Sequence, residues 1–136
     1  MITGNLKIDL AASVNGVAFK ADALTVKSTF GKPNRSIKKA FFSKSRTDVY
    51  EDFHIYYSEK GLFEAIEVFG DVTVTVNGKT VFPGTLSQAK KVIPGLEGEH
   101  EEYMSYKASV GITTAEDETS ISAMLFGCAG YYPGKK

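Results

Sequence analysis

Residues 52–69 read DFHIYYSEKGLFEAIEVF, and this stretch decides the fold class. Phe53, Ile55 and Tyr57 alternate with His54 and Tyr56, the period of two that marks a strand with two unlike faces. SEKG is a polar break of turn length. In the return run Leu62, Glu64, Ile66 and Val68 alternate with Phe63, Ala65, Glu67 and Phe69. Both sets are mostly apolar, as expected of a central strand covered on both faces. By the same alternation Glu64 and Glu67 point to opposite faces. The whole stretch predicts an antiparallel hairpin at the centre of a sheet.

The same period recurs outward from this hairpin. NLKIDL places Leu6, Ile8 and Leu10 on one side, and VTVTV places Val72, Val74 and Val76 on one side. Asn15-Gly16 and Asn77-Gly78 tolerate positive φ and suit two-residue hairpin turns. ADALTVKSTFG predicts a short helix capped by Asp22 and stopped by Gly31, with a modest apolar face at Leu24, Thr25 and Lys27. TLSQAKKVIPG predicts a second, capped by Thr85, with Leu86, Ala89 and Ile93 inward and Pro94-Gly95 ending it. NRSIKKAFFSKSRTDVY fits helix and strand patterns alike and is read as a strand entering a loop. LEGEHEEY reads as an acidic connector, MSYKASVGITT and TSISAMLF as a final hairpin, and YYPGKK as a tail. These elements predict one α+β domain over residues 1–136: a mainly antiparallel sheet of about seven strands, with the two helices packed on one face.

The bulk composition is that of an ordinary globular chain. Of 136 residues 43% are hydrophobic and 24% charged, and sixteen basic residues balance sixteen acidic ones. A chain of this length buries roughly two thirds of its unfolded surface and needs no staple. Balanced charge argues for neither nucleic acid nor membrane. The single cysteine, Cys128, allows no intrachain disulfide and lies in an apolar run, which reads as a buried, inert thiol in a reducing cytosol. The amino-terminal residues lack the basic start and apolar run of a signal peptide. The expectation is a cytoplasmic protein.

No familiar catalytic pattern stands on this scaffold. A Ser/His/Asp or Cys/His site needs an imidazole within reach of a nucleophile. His54 alternates with core residues, and His100 sits in the acidic run EGEHEEY. That run lacks the ligand spacing of zinc or calcium sites. The reading is a binding protein rather than an enzyme, with no metal or cofactor.

Charge is unevenly placed along the chain. Residues 20–46 carry eight basic residues against Asp22, and residues 97–118 carry seven acidic ones against Lys107. A nucleic-acid surface would use Lys32, Arg35, Lys38, Lys39, Lys44 and Arg46, with Phe41 and Phe42 stacking on bases. The favoured alternative has the basic and acidic segments neutralising each other, with both phenylalanines in the core. The acidic stretch suits docking of a basic partner, in which Glu97, Glu99, Glu101 and Glu102 speed association and Tyr103 and Tyr106 anchor it.

The succession FGKPNRS, DVYEDFHIYYSEKGLFEAIEVF, VTVNGKTVFPG and SISAMLFGCAGYY resembles a pattern of small bacterial immunity proteins of polymorphic toxin and contact-dependent growth inhibition systems. The resemblance implies a cytosolic protein that binds a cognate toxin domain, often a nuclease, and blocks it. It carries no functional residue over, and the neutral overall charge departs from the acidity of many nuclease inhibitors. An exposed edge strand could also pair two copies.

Overall fold

The computed structural model describes residues 4–38, 40 and 45–132. Its strands and helices are β1 Asn5–Asp9, β2 Ser13–Val14, β3 Val17–Ala18, α1 Ala23–Phe30, β4 Arg35–Lys38, β5 Arg46–Val49, β6 Phe53–Tyr57, β7 Phe63–Val68, β8 Thr73–Val76, β9 Lys79–Phe82, α2 Leu86–Val92, β10 Glu97–Glu99, β11 Glu102–Ser105, β12 Val110–Thr114 and β13 Ile121–Gly127. The chain is α+β and mostly β.

The strands form two sheets where one of about seven strands was expected. The larger has eight strands in the order β10-β11-β12-β13-β7-β6-β5-β4, and the smaller has five in the order β3-β2-β1-β8-β9. The extra strands are short ones, and β1 and β8 are joined by a parallel pairing of residues 5–8 with 73–76. That pairing crosses the intervening elements and has no local signature in sequence.

The central hairpin forms as read: Phe53, Ile55 and Tyr57 are buried while His54 and Tyr56 are half-buried. In β7 strict alternation fails. The register slips so that Tyr56 faces Ala65 and Tyr57 faces Phe63, leaving Glu64 as the extra residue. The slip turns Phe63 into the core, where its ring lies 4.8 Å from Phe19.

One core joins both sheets and both helices. Asp22 caps α1 by accepting from the Thr25 amide at 2.9 Å, and Gly31 closes it at φ 83°. The helix buries Val26 and Phe30, four residues apart, rather than the expected face; Leu24 is 80% exposed. Phe30 meets Phe53 and Phe63 edge-on at 5.9 and 6.5 Å, which seats α1 on the inner face of the larger sheet. α2 starts with a capping box, Thr85 with Gln88, and buries Leu86 and Ala89; Ile93 follows them inward.

Two expectations meet the structure elsewhere. LEGEHEEY is not a connector: it supplies β10, a turn at His100-Glu101 and the start of β11. Residues 34–50 supply the paired strands β4 and β5. Phe41 and Phe42 lie outside the described residues.

Candidate binding groove on the outer face of the larger sheet

Strand register places one residue from each strand in a row across the larger sheet. From one edge to the other it runs Glu97, Met104, Gly111, Leu125, Glu67, His54, Val49 and Arg35. The next row inward along the strands, including Ile112, Met124, Val68 and Phe53, is buried in the core. Alternation therefore puts the Glu97–Arg35 row on the outer face.

At the acidic end this face is hollowed into a groove of about 420 Å³. Met104, Gly111, Ala123 and Leu125 form its floor, and Glu67, Glu97, Glu99 and Glu102 supply carboxylates. Tyr106 and Tyr132 add rings, and among the described residues no lysine or arginine lines it. Two glycines make room for the carboxy-terminal tyrosines. A Cβ on Gly111 would meet the Tyr132 hydroxyl, and one on Gly127 would stand 2.6 Å from Tyr131 Cγ. The two rings meet edge-on at 5.1 Å.

Polar contacts hold the groove's inner end. The Tyr56 hydroxyl donates to Glu67 Oε1 at 2.6 Å, which fixes that carboxylate. Burial, followed by Tyr131 and Glu67, pushes the Tyr132 phenol up to about 12. Burial, followed by Glu64 and Glu67, raises Tyr131 as well. At neutral pH both rings are protonated, so they offer hydroxyl donors and π-faces. Carboxylates beside tyrosine rings suit an ammonium or guanidinium group.

Five of the six residues expected to bind a partner border this groove: Glu97, Glu99, Glu102, Tyr103 and Tyr106. Tyr106 is 38% exposed. Tyr103 is half-buried, with Lys90 Nζ 5.4 Å over its ring. Glu101 does not line it; this residue sits in the β10–β11 turn, where its carbonyl accepts from the Thr114 amide at 2.9 Å. Glu67, Met104, Leu125 and Tyr132 were not anticipated. Their signal was available only in register, since they come from separate strands and the segment after β13.

The basic segment is divided. Lys32, Arg35 and Lys38 are exposed. Arg46 is engaged: its Nε lies 3.2 Å from Asp48 Oδ1, and its guanidinium lies 4.5 Å from the centre of the Tyr57 ring. Asp48 is fully buried and also accepts from the Ser36 hydroxyl. Lys39 and Lys44 lie outside the described residues.

His54 packs edge-on against Phe69 at 4.8 Å on the outer face. Cys128 borders a separate hollow of about 200 Å³ with Lys20, Ser58, Lys60 and Glu64. Burial and then Glu64 push its thiol up, away from the reactive thiolate. Among the described residues, no group of three or more His, Cys, Asp or Glu is placed to hold a metal ion.

No protein-family model matches this chain, and no curated protein matches it. Among solved structures it is similar to an extracellular protein containing an SCP domain from Bacillus anthracis str. Ames. That likeness has a TM-score of 0.54 at 11% identity, and covers 81% of this chain and 44% of the other. At that identity the two share a fold over the matched part, and the chain spans less than half the length of its neighbour.

Proposed function

We propose that this chain is a cytosolic binding protein, an immunity protein that docks the basic surface of a cognate toxin domain and blocks it. One observation carries the docking face: an open groove with four carboxylates, tyrosine rings and, among the described residues, no basic residue in its lining. Such a surface attracts a cationic partner over distance and offers aromatic anchors once contact is made. The toxin class rests on the sequence resemblance described above. A nanomolar inhibitor needs about −12 kcal/mol, and an interface of roughly 800 Å² per partner is the usual size for such a complex. The larger sheet would act as the rigid platform and its outer face as the working surface. Among the described residues, no helix is long and apolar enough to cross a membrane.

The test is a pull-down with this protein as bait against the products of neighbouring reading frames, followed by a growth assay. The expected result is a tightly bound neighbour that is toxic only when this protein is missing. The variant E97K/E99K/E102K should then slow association by at least about tenfold at low salt, and added salt should narrow the gap. Binding unaffected by this charge reversal would move the interface elsewhere. A set of neighbours in which none binds or is toxic would sink the immunity reading.

A further inference from the structure

The chain carries two Asn-Gly pairs, and both form two-residue hairpin turns of the same shape. Asn15 and Gly16 have φ of 51° and 82°, and Asn77 and Gly78 have φ of 53° and 77°. Backbone geometry therefore does not distinguish them, but side-chain anchoring does. Asn15 Oδ1 accepts from the Lys7 amide at 2.7 Å, and its Nδ2 donates to the Asn5 carbonyl at 3.2 Å. Asn77 is exposed, and its amide makes no hydrogen bond to another described residue. Gly16 and Gly78 are alike in having nothing within 4 Å of where a Cβ would stand, so the difference between the two turns lies in the asparagine side chains.

We infer that Asn77 is a site of spontaneous deamidation and isomerisation, and that Asn15 is protected from the same chemistry. The Gly78 nitrogen attacks Asn77 Cγ, the Cγ–Nδ2 bond breaks, and ammonia leaves as a five-membered succinimide closes. Water then opens the ring at either carbonyl, giving aspartate or isoaspartate. The net change is loss of ammonia and gain of water, with no oxidant or cofactor. At Asn15 the side chain must first give up two hydrogen bonds to reach the attacking geometry. Asn is among the residues lost first on heating in proteins generally.

The product matters because of where the turn sits. β8 pairs with β1 on one side and β9 on the other. Isoaspartate lengthens the main chain inside a two-residue turn, so the Val76–Lys79 pairing that closes it cannot persist unchanged. Asn77, Gly78 and Asn15 border the same cleft of about 650 Å³, together with Lys7 and Asp9. Aspartate or isoaspartate would add a negative charge there.

The experiment is incubation of the native protein under warm, mildly alkaline conditions, with peptide mapping that separates aspartyl from isoaspartyl products. Conversion at Asn77 should outrun that at Asn15 by at least about tenfold, the ratio that two net hydrogen bonds supply. In denaturant the two sites should convert at similar rates, because each is then a free Asn-Gly. The variant N77Q should lose the fast conversion. Equal native rates, faster loss at Asn15, or a difference that survives unfolding would each overturn the inference.

Discussion

Gly111 and Gly127 decide how closely the carboxy-terminal tyrosines approach the sheet. The two replacements by alanine are not equivalent. At Gly111 the new methyl would meet the far end of the Tyr132 side chain, its hydroxyl, with Cζ next at 3.3 Å. That end can swing out. At Gly127 it would meet the root of Tyr131, with Cγ at 2.6 Å and Cβ at 2.7 Å, so the backbone carrying both tyrosines must move. Overpacking of the second kind costs about 1–3 kcal/mol, and the first should cost under about 1 kcal/mol. Urea unfolding of G111A and G127A should give that order. G111A should still reshape the groove, which the shifted ring resonances of Tyr132 would report. A larger loss for G111A would show that Tyr132 is held more rigidly than its position at the groove's edge implies.

Among the elements, β10 is the one on which the candidate groove depends most. Its three residues are all exposed, so no buried side chain holds it; the ladder to β11 does. This is also why LEGEHEEY reads as a connector: a strand with no buried face has no period of two to detect. The acidic and tyrosine residues were legible because they are consecutive in sequence, whereas their gathering with Glu67 and Tyr132 depends on register across separate strands. Gly98 is the weak point of β10. A Cβ there would press on the Glu102 carbonyl oxygen and lie 2.7 Å from Tyr103 Cα, both main-chain atoms that cannot step aside. G98A should therefore detach β10. Hydrogen exchange should show lost protection in β10 and the facing edge of β11, while global stability falls by about 1 kcal/mol or less, as for local opening of an edge. Retained protection in β10 would mean that the ladder bends to fit the methyl group.

At the scale of the whole molecule, local pairing was readable and sheet assembly was not. Both Asn-Gly hairpins, both caps and the central hairpin follow from neighbours in sequence. The parallel β1–β8 contact follows only from how the completed hairpins pack, and it turns an expected single sheet into two. The shared core buries Tyr50 and Tyr57, while Tyr56 and Tyr132 are half-buried at the outer-face groove. Tyr50 donates to the Gly31 carbonyl at 2.7 Å, and burial, followed by the charge of Asp48, pushes it up to about 12. Tyr132 reaches about 12 in the same way, by burial first. Tyr56 and Tyr57 are pushed up further, again chiefly by burial. An unfolded tyrosine titrates near 10.0. The folded state thus holds protons that the unfolded state releases. The resulting stability is fully present below about pH 10 and is lost as pH rises through the folded values. Unfolding at fixed urea should be flat up to about pH 10 and then steepen towards about pH 12, with phenolate absorbance rising together with loss of the β-sheet circular dichroism signal. Tyr50→Phe should soften that slope, since it removes one shifted group while keeping the ring stacked 4.7 Å from Phe53. Phenolate formation centred near pH 10 for all seven tyrosines, with the sheet signal intact, would contradict this account.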